Sequence, residues 1–119
     1  MNESFTSLTQ GISQTIGSMR KEIPETIQAF NALSKTALAP GVLSALDKEL
    51  IATAISVANR CDACIGFHVR SLVRLGASRA QLMEMLGVCA YMGGGPSLMY
   101  AAETVRAFDE FSASAATPA

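Results

Sequence analysis

The chain has 119 residues, half of them apolar and 16% charged, with a net charge of −1. No basic patch of the kind nucleic acid needs is present, so no nucleic-acid partner is expected. No membrane partner is expected either, because the one long uncharged run, residues 85–102, is interrupted by Gly-Gly-Gly-Pro at 93–96.

The length fits one domain, 1–119, with a core that buries roughly two-thirds of the unfolded surface. No segment alternates polar and apolar residues for long, and Ala, Leu and Met abound, so the expected fold is all-α. The first helix is predicted over about Ser4–Arg20, with Phe5, Leu8, Ile12, Ile16 and Met19 on one stripe. The second runs from Pro24, a first-turn proline, to about Ala39, where Ala-Pro-Gly ends it. The third spans about Ala45–Asn59, with Ser44 as N-cap and Asp47 three residues on. The fourth begins at or just before Cys61 and ends near Leu75, with Gly76 suited to the left-handed position beyond it. Ser78 and Gln81 make a capping box for the fifth, about Arg79–Met92. Pro96 opens the sixth, which runs to about Phe111, and residues 112–119, Ser-Ala-Ser-Ala-Ala-Thr-Pro-Ala, have no evident reason to fold. The product is a compact bundle of about six helices.

The chain's single histidine and two of its three cysteines fall within residues 61–68. On a helix at about 100° per residue, Cys61, Cys64 and His68 lie within an arc of about 60°. Both thiols occupy the first turn, where free N–H groups and the helix dipole favour a thiolate. The preceding helix is apolar except for Glu49, Thr53, Ser56 and Arg60, one narrow stripe. Glu49 stands either at a wet edge or in a polar pocket that can face the cysteine pair. The start "MNESFTSLTQ" has no basic cluster and reads as no secretory signal, so a reducing cytoplasm is expected. There a Cys-x-x-Cys is catalytic or metal-binding more often than structural. Zinc would need Cys89 or Glu49 as a fourth ligand, and no second Cys-x-x-Cys is present, so no metal is assigned. Cys89 reads as a buried, inert thiol, and Met83, Met85, Met92 and Met99 as core or subunit contacts. The charge content is well below the average of about 25%, which implies that other subunits cover part of the surface.

The stretch "KELIATAISVANRCDACIGFHVRSLVRLGASRAQLMEMLGVCAYMGGGPSLMYAAE" resembles the carboxymuconolactone decarboxylase and alkylhydroperoxidase D-like family over roughly residues 43–107. The resemblance rests on a Glu followed twelve positions on by Cys-x-x-Cys-x-x-x-His, met by Glu49, Cys61, Cys64 and His68. It implies an all-helical fold, a homotrimer or homohexamer, and the cysteine-bearing, peroxide-reducing branch. That branch implies Cys64 as attacking thiolate, Cys61 as resolving thiol, and Glu49 with His68 as proton relay. It needs no cofactor, takes a hydroperoxide as substrate, and draws on an external dithiol, lipoyl-bearing or thioredoxin-like. Better-known peroxidase members carry a further His directly before the second cysteine; here that place is Ala63. The other branch acts as a lactone decarboxylase and generally lacks the cysteine pair. A redox-sensing or zinc-binding module without turnover is the remaining alternative.

Overall fold

The computed structural model describes residues 3–116, and every element among them is helical: α1 (Phe5–Glu22), α2 (Pro24–Leu38), α3 (Ala45–Ala58), α4 (Asp62–Arg74) and α5 (Arg79–Ala116). Local chemistry sets most of the boundaries. Ser4 caps α1 by accepting from the Ser7 N–H, and Ser44 caps α3 by accepting from the Asp47 N–H. Pro24 opens α2. Ser78 and Gln81 form the reciprocal capping box: the Gln81 N–H donates to Ser78 Oγ at 3.0 Å and the Ser78 N–H to Gln81 Oε1 at 2.9 Å.

The expected fifth and sixth helices are one element, α5, broken at Gly94 (φ 69°, ψ −152°), a conformation open to glycine alone. A Cβ on Gly93 would stand 1.8 Å from Ser97 Oγ, so the bend also needs a bare backbone there. Pro96 then sits in the first turn of the second arm, as expected. The predicted end near Phe111 needs correction. Helix continues to Ala116, because Phe111 is buried in the core and the Ser-Ala-Ser-Ala-Ala that follows has high helix propensity. Residues 117–119 of the expected unfolded tail lie outside the described residues.

The core joins Phe5 of α1 and Val57 of α3 to Ile65, Val69 and Leu72 of α4 and to Leu82, Leu86, Ala107, Phe108 and Phe111 of α5. α1 lies directly on α4 at Gly66, where an added Cβ would meet Thr9 Cγ2 at 2.7 Å. α2 buries no residue and packs mainly along α1. No helix among the described residues is long and apolar enough to cross a membrane.

Candidate functional site

The site forms where α3 hands the chain to α4. Glu49, Thr53 and Ser56 of the polar stripe are buried, not at a wet edge. The Thr53 hydroxyl donates to the Glu49 carbonyl at 2.8 Å and the Ser56 hydroxyl to the Ala52 carbonyl at 2.7 Å, which satisfies both inside the helix. Only the Glu49 side chain is left to reach outward. Its Oε2 accepts from His68 Nδ1 at 2.7 Å, joining α3 to α4. The carboxylate is nearly buried, and the imidazole keeps 29% of its side-chain surface accessible. With Nδ1–H directed at Glu49, the neutral ring holds its lone pair on Nε2, and the protonated ring has an Nε2–H to give.

The helix starts at Asp62, one residue later than the expected start at or just before Cys61. Cys61 is the N-cap of α4, and its Sγ accepts from the Cys64 N–H at 3.2 Å. Sulfur here fills the place that a Ser or Thr oxygen usually takes. The two thiols form the disulfide Cys61–Cys64, with 5.2 Å between Cα atoms. His68 follows one turn after Cys64, while Ile65, Val69 and Leu72, on the adjoining face of α4, are buried in the core. The structure thus joins the four predicted residues in two pairs, Cys61 with Cys64 and Glu49 with His68, around the first two turns of one helix. Among the described residues, no group of three or more His, Cys, Asp and Glu is placed to hold a metal ion.

Cys89 stands apart, in the first arm of α5. It is half-buried rather than buried, since it lines an open hollow between α3 and α5 with Ala54, Ile55, Ala58 and Met92. Its thiol points at Met85 Sδ, 3.7 Å away. Burial pushes that thiol up, partly offset by a backbone hydrogen bond. Met85 packs against the core as expected, whereas Met83, Met92 and Met99 are exposed on this chain.

Two features of the structure escaped the sequence reading. Arg60, directly before Cys61, adopts a left-handed backbone (φ 57°), a place that sequence reading reserves for Gly or Asn. Glu110 clamps the start of α1, a contact 105 positions apart in sequence for which no local signal exists.

Comparison with known proteins places the fold and the family. The carboxymuconolactone decarboxylase family model matches residues 24–107. An uncharacterised protein of Cupriavidus necator is 40% identical over 108 residues, which is 91% of this chain and 95% of that one. The apo crystal structure of a carboxymuconolactone decarboxylase family protein from Legionella pneumophila superposes with a TM-score of 0.89 at 50% identity, covering 91% of this chain and 96% of its own. A Thermotoga maritima family member, for which a role in the antioxidative response has been suggested, superposes with a TM-score of 0.72 at 25% identity, covering 82% and 86%. On fold and sequence alike, this chain belongs to the carboxymuconolactone decarboxylase family.

Proposed function

We propose that the protein is a thiol-dependent hydroperoxide reductase working through Cys61 and Cys64 with a Glu49–His68 proton relay. The observation that carries this reading is the 2.7 Å bond between Glu49 and His68, one turn beyond a cysteine pair whose sulfurs are already joined. The antioxidative role suggested for the Thermotoga relative points the same way.

In the reduced protein, His68 takes the Cys64 proton, and the N-terminus of α4 favours the resulting thiolate. The thiolate attacks the terminal oxygen of a hydroperoxide. An S–O bond forms, the O–O bond breaks, and the leaving alkoxide takes the proton from His68. Cys64 is then a sulfenic acid. The Cys61 sulfur attacks it and displaces the hydroxyl, which leaves as water with the Cys61 proton, and the disulfide seen here results. An external dithiol, lipoyl-bearing or thioredoxin-like, restores both thiols and becomes oxidised itself. Glu49 holds Nδ1 so that Nε2 faces the exchange. Ala63 leaves this pair to work without a further histidine.

The same reading makes the chain one subunit of a homotrimer or homohexamer. Tyr91 (85% exposed), Met92 (76%), Val88, Leu98 and Met99 are all exposed on α5, apolar side chains of the kind that a second copy covers.

The test is single turnover followed by steady state. One equivalent of an alkyl hydroperoxide added to reduced protein should remove two thiols and leave a Cys61–Cys64 disulfide by mass spectrometry. A dithiol donor should then sustain turnover. Cys64→Ser should lower peroxide consumption to the buffer background; consumption at the parent rate would overturn the assignment of Cys64. A lactone-opening decarboxylation indifferent to that substitution would place the chain in the other branch.

A further inference from the structure

The two ends of the site-bearing hairpin use one hydrogen-bond scheme with different residues. After α3, the Arg60 N–H donates to the Val57 carbonyl and the Cys61 N–H to the Ser56 carbonyl, both at 3.1 Å. After α4, the Gly76 N–H donates to the Val73 carbonyl at 3.1 Å and the Ala77 N–H to the Leu72 carbonyl at 3.0 Å. Both turns are Schellman motifs, and both need a left-handed residue. Gly76 meets that need freely at φ 81°, whereas Arg60 meets it at φ 57° with a side chain that disfavours it. Arg60 is exposed and forms no ion pair among the described residues. Its chain neighbour is Cys61, the cap of α4.

A strained residue beside reacting atoms points to a use for its side chain. We propose that Arg60 is an electrostatic positioning residue for the cysteine pair: its guanidinium favours negative charge on the reduced pair and makes the Cys61–Cys64 disulfide a stronger oxidant. The proposal rests on the redox reading of that pair, but its test needs no peroxide. The step is exchange with glutathione. Two glutathione thiols donate two electrons to the protein disulfide, one S–S bond breaks in the protein, and one forms in glutathione disulfide. The two protons pass to the protein sulfurs, or to solvent from the sulfur that stays ionised. A cation beside a thiolate stabilises the reduced side of this balance.

Several of the other charged groups packed around the turn are already paired. Glu49 is taken by His68 from across α3 and α4. On α5, Arg106 is taken by Glu103, and both line a small cleft with Asp62 and Glu3. Asp62, within the Cys-x-x-Cys itself, opposes Arg60 and is common to every variant below.

The experiment compares parent, Arg60→Lys, Arg60→Gln and Arg60→Gly in glutathione redox buffers, reading the reduced-to-oxidised ratio by mass spectrometry. Lys keeps the charge, Gln keeps a left-handed side chain without the charge, and Gly removes both. A unit charge acting through water over roughly 6–10 Å changes an equilibrium about two- to threefold. Arg60→Lys should match the parent, while Arg60→Gln and Arg60→Gly should both be about threefold less easily reduced, about 14 mV. That gap should close at about 1 M salt, where charges are screened within about 3 Å. Equal ratios in all four proteins would overturn the proposal. So would a change in Arg60→Gly alone, which would trace to the backbone, or a change that salt leaves intact.

Discussion

Among the described residues, two carboxylates bridge helices, and their partners make them different devices. Glu49 of α3 bonds to the imidazole of His68 on α4. Glu110, in the second arm of α5, bonds to the start of α1: its Oε1 accepts from the Phe5 N–H at 3.1 Å, and its Oε2 from the Thr6 N–H at 2.8 Å and the Thr6 hydroxyl at 2.7 Å. Burial would raise the Glu110 carboxyl. The Thr6 and Phe5 hydrogen bonds, with Arg106 nearby, outweigh it and hold the group below the usual carboxylate range. A backbone N–H does not give up its proton at any pH the fold survives, so Glu110 can only clamp. An imidazole can both give and take a proton, which is what the proposed relay asks of Glu49 and His68. Burying an acid between helices therefore says nothing of function until its donor is known.

The largest effect should come from breaking the relay and leaving the clamp alone. Glu49→Gln keeps an oxygen for His68 Nδ1–H and the same shape, so the fold should lose less than about 1.5 kcal/mol. It removes the charge that steadies an imidazolium. Peroxide consumption under saturating dithiol should fall about 10²–10⁴-fold, the usual range for a general acid–base contribution. A fall of twofold or less would reduce the Glu49–His68 bond to another helix clamp.

The reverse substitution should give the reverse result. Glu110→Ala leaves two backbone N–H groups and a hydroxyl without their acceptor, at about 1–3 kcal/mol. Each kcal/mol is about 4–8 °C of melting temperature in a domain of this size, compared at one protein concentration. Turnover per folded molecule should not change. The pH dependence follows from the lowered Glu110 carboxyl. The folded state binds fewer protons than the unfolded one between the two pKa values. This stabilisation is therefore complete above the unfolded value and disappears as pH falls through the lower folded one. Urea melts of parent and Glu110→Ala should converge on acidification. A gap that stays constant would mean that the variant loses packing and not an ionic clamp.

The same contrast governs what could be read in the sequence. The candidate site's parts were legible because they are local: Cys61 caps the helix that carries Cys64 and His68, and Glu49 stands within a hairpin of them. Ser44, Gly76 and the Ser78–Gln81 box were legible for the same reason, since a cap is written within four residues of what it caps. Glu110 was not, because its partners are more than a hundred positions away. Arg60 was not, because left-handed turns are assigned from Gly and Asn, and a strained side chain sends no signal of its own. The burial of Glu49 stayed open between edge and pocket, because only the docking of α4 on α3 decides it. The helix past Phe111 was hidden by a Ser-Ala composition that reads as a tail until the core beneath it is known.

The smallest effect should be at Cys89, where sulfur repeats the contrast drawn between the two carboxylates. Cys61 and Cys64 sit at the start of a helix, where backbone N–H groups and the dipole favour negative charge. Cys89 is inside a helix, its N–H groups already spent on the turns before it, and burial keeps its proton on. A protonated thiol is a poor nucleophile. Cys89→Ala should therefore leave peroxide turnover and Cys61–Cys64 disulfide formation within about twofold of the parent. In reduced protein at neutral pH, iodoacetamide should alkylate Cys89 last of the three, as read by peptide mass spectrometry. Alkylation of Cys89 first, or a loss of turnover in Cys89→Ala as deep as in Glu49→Gln, would show that position in a helix does not sort these sulfurs. The hollow lined by Ala54, Ile55, Ala58 and Met92 would then become part of the reacting site.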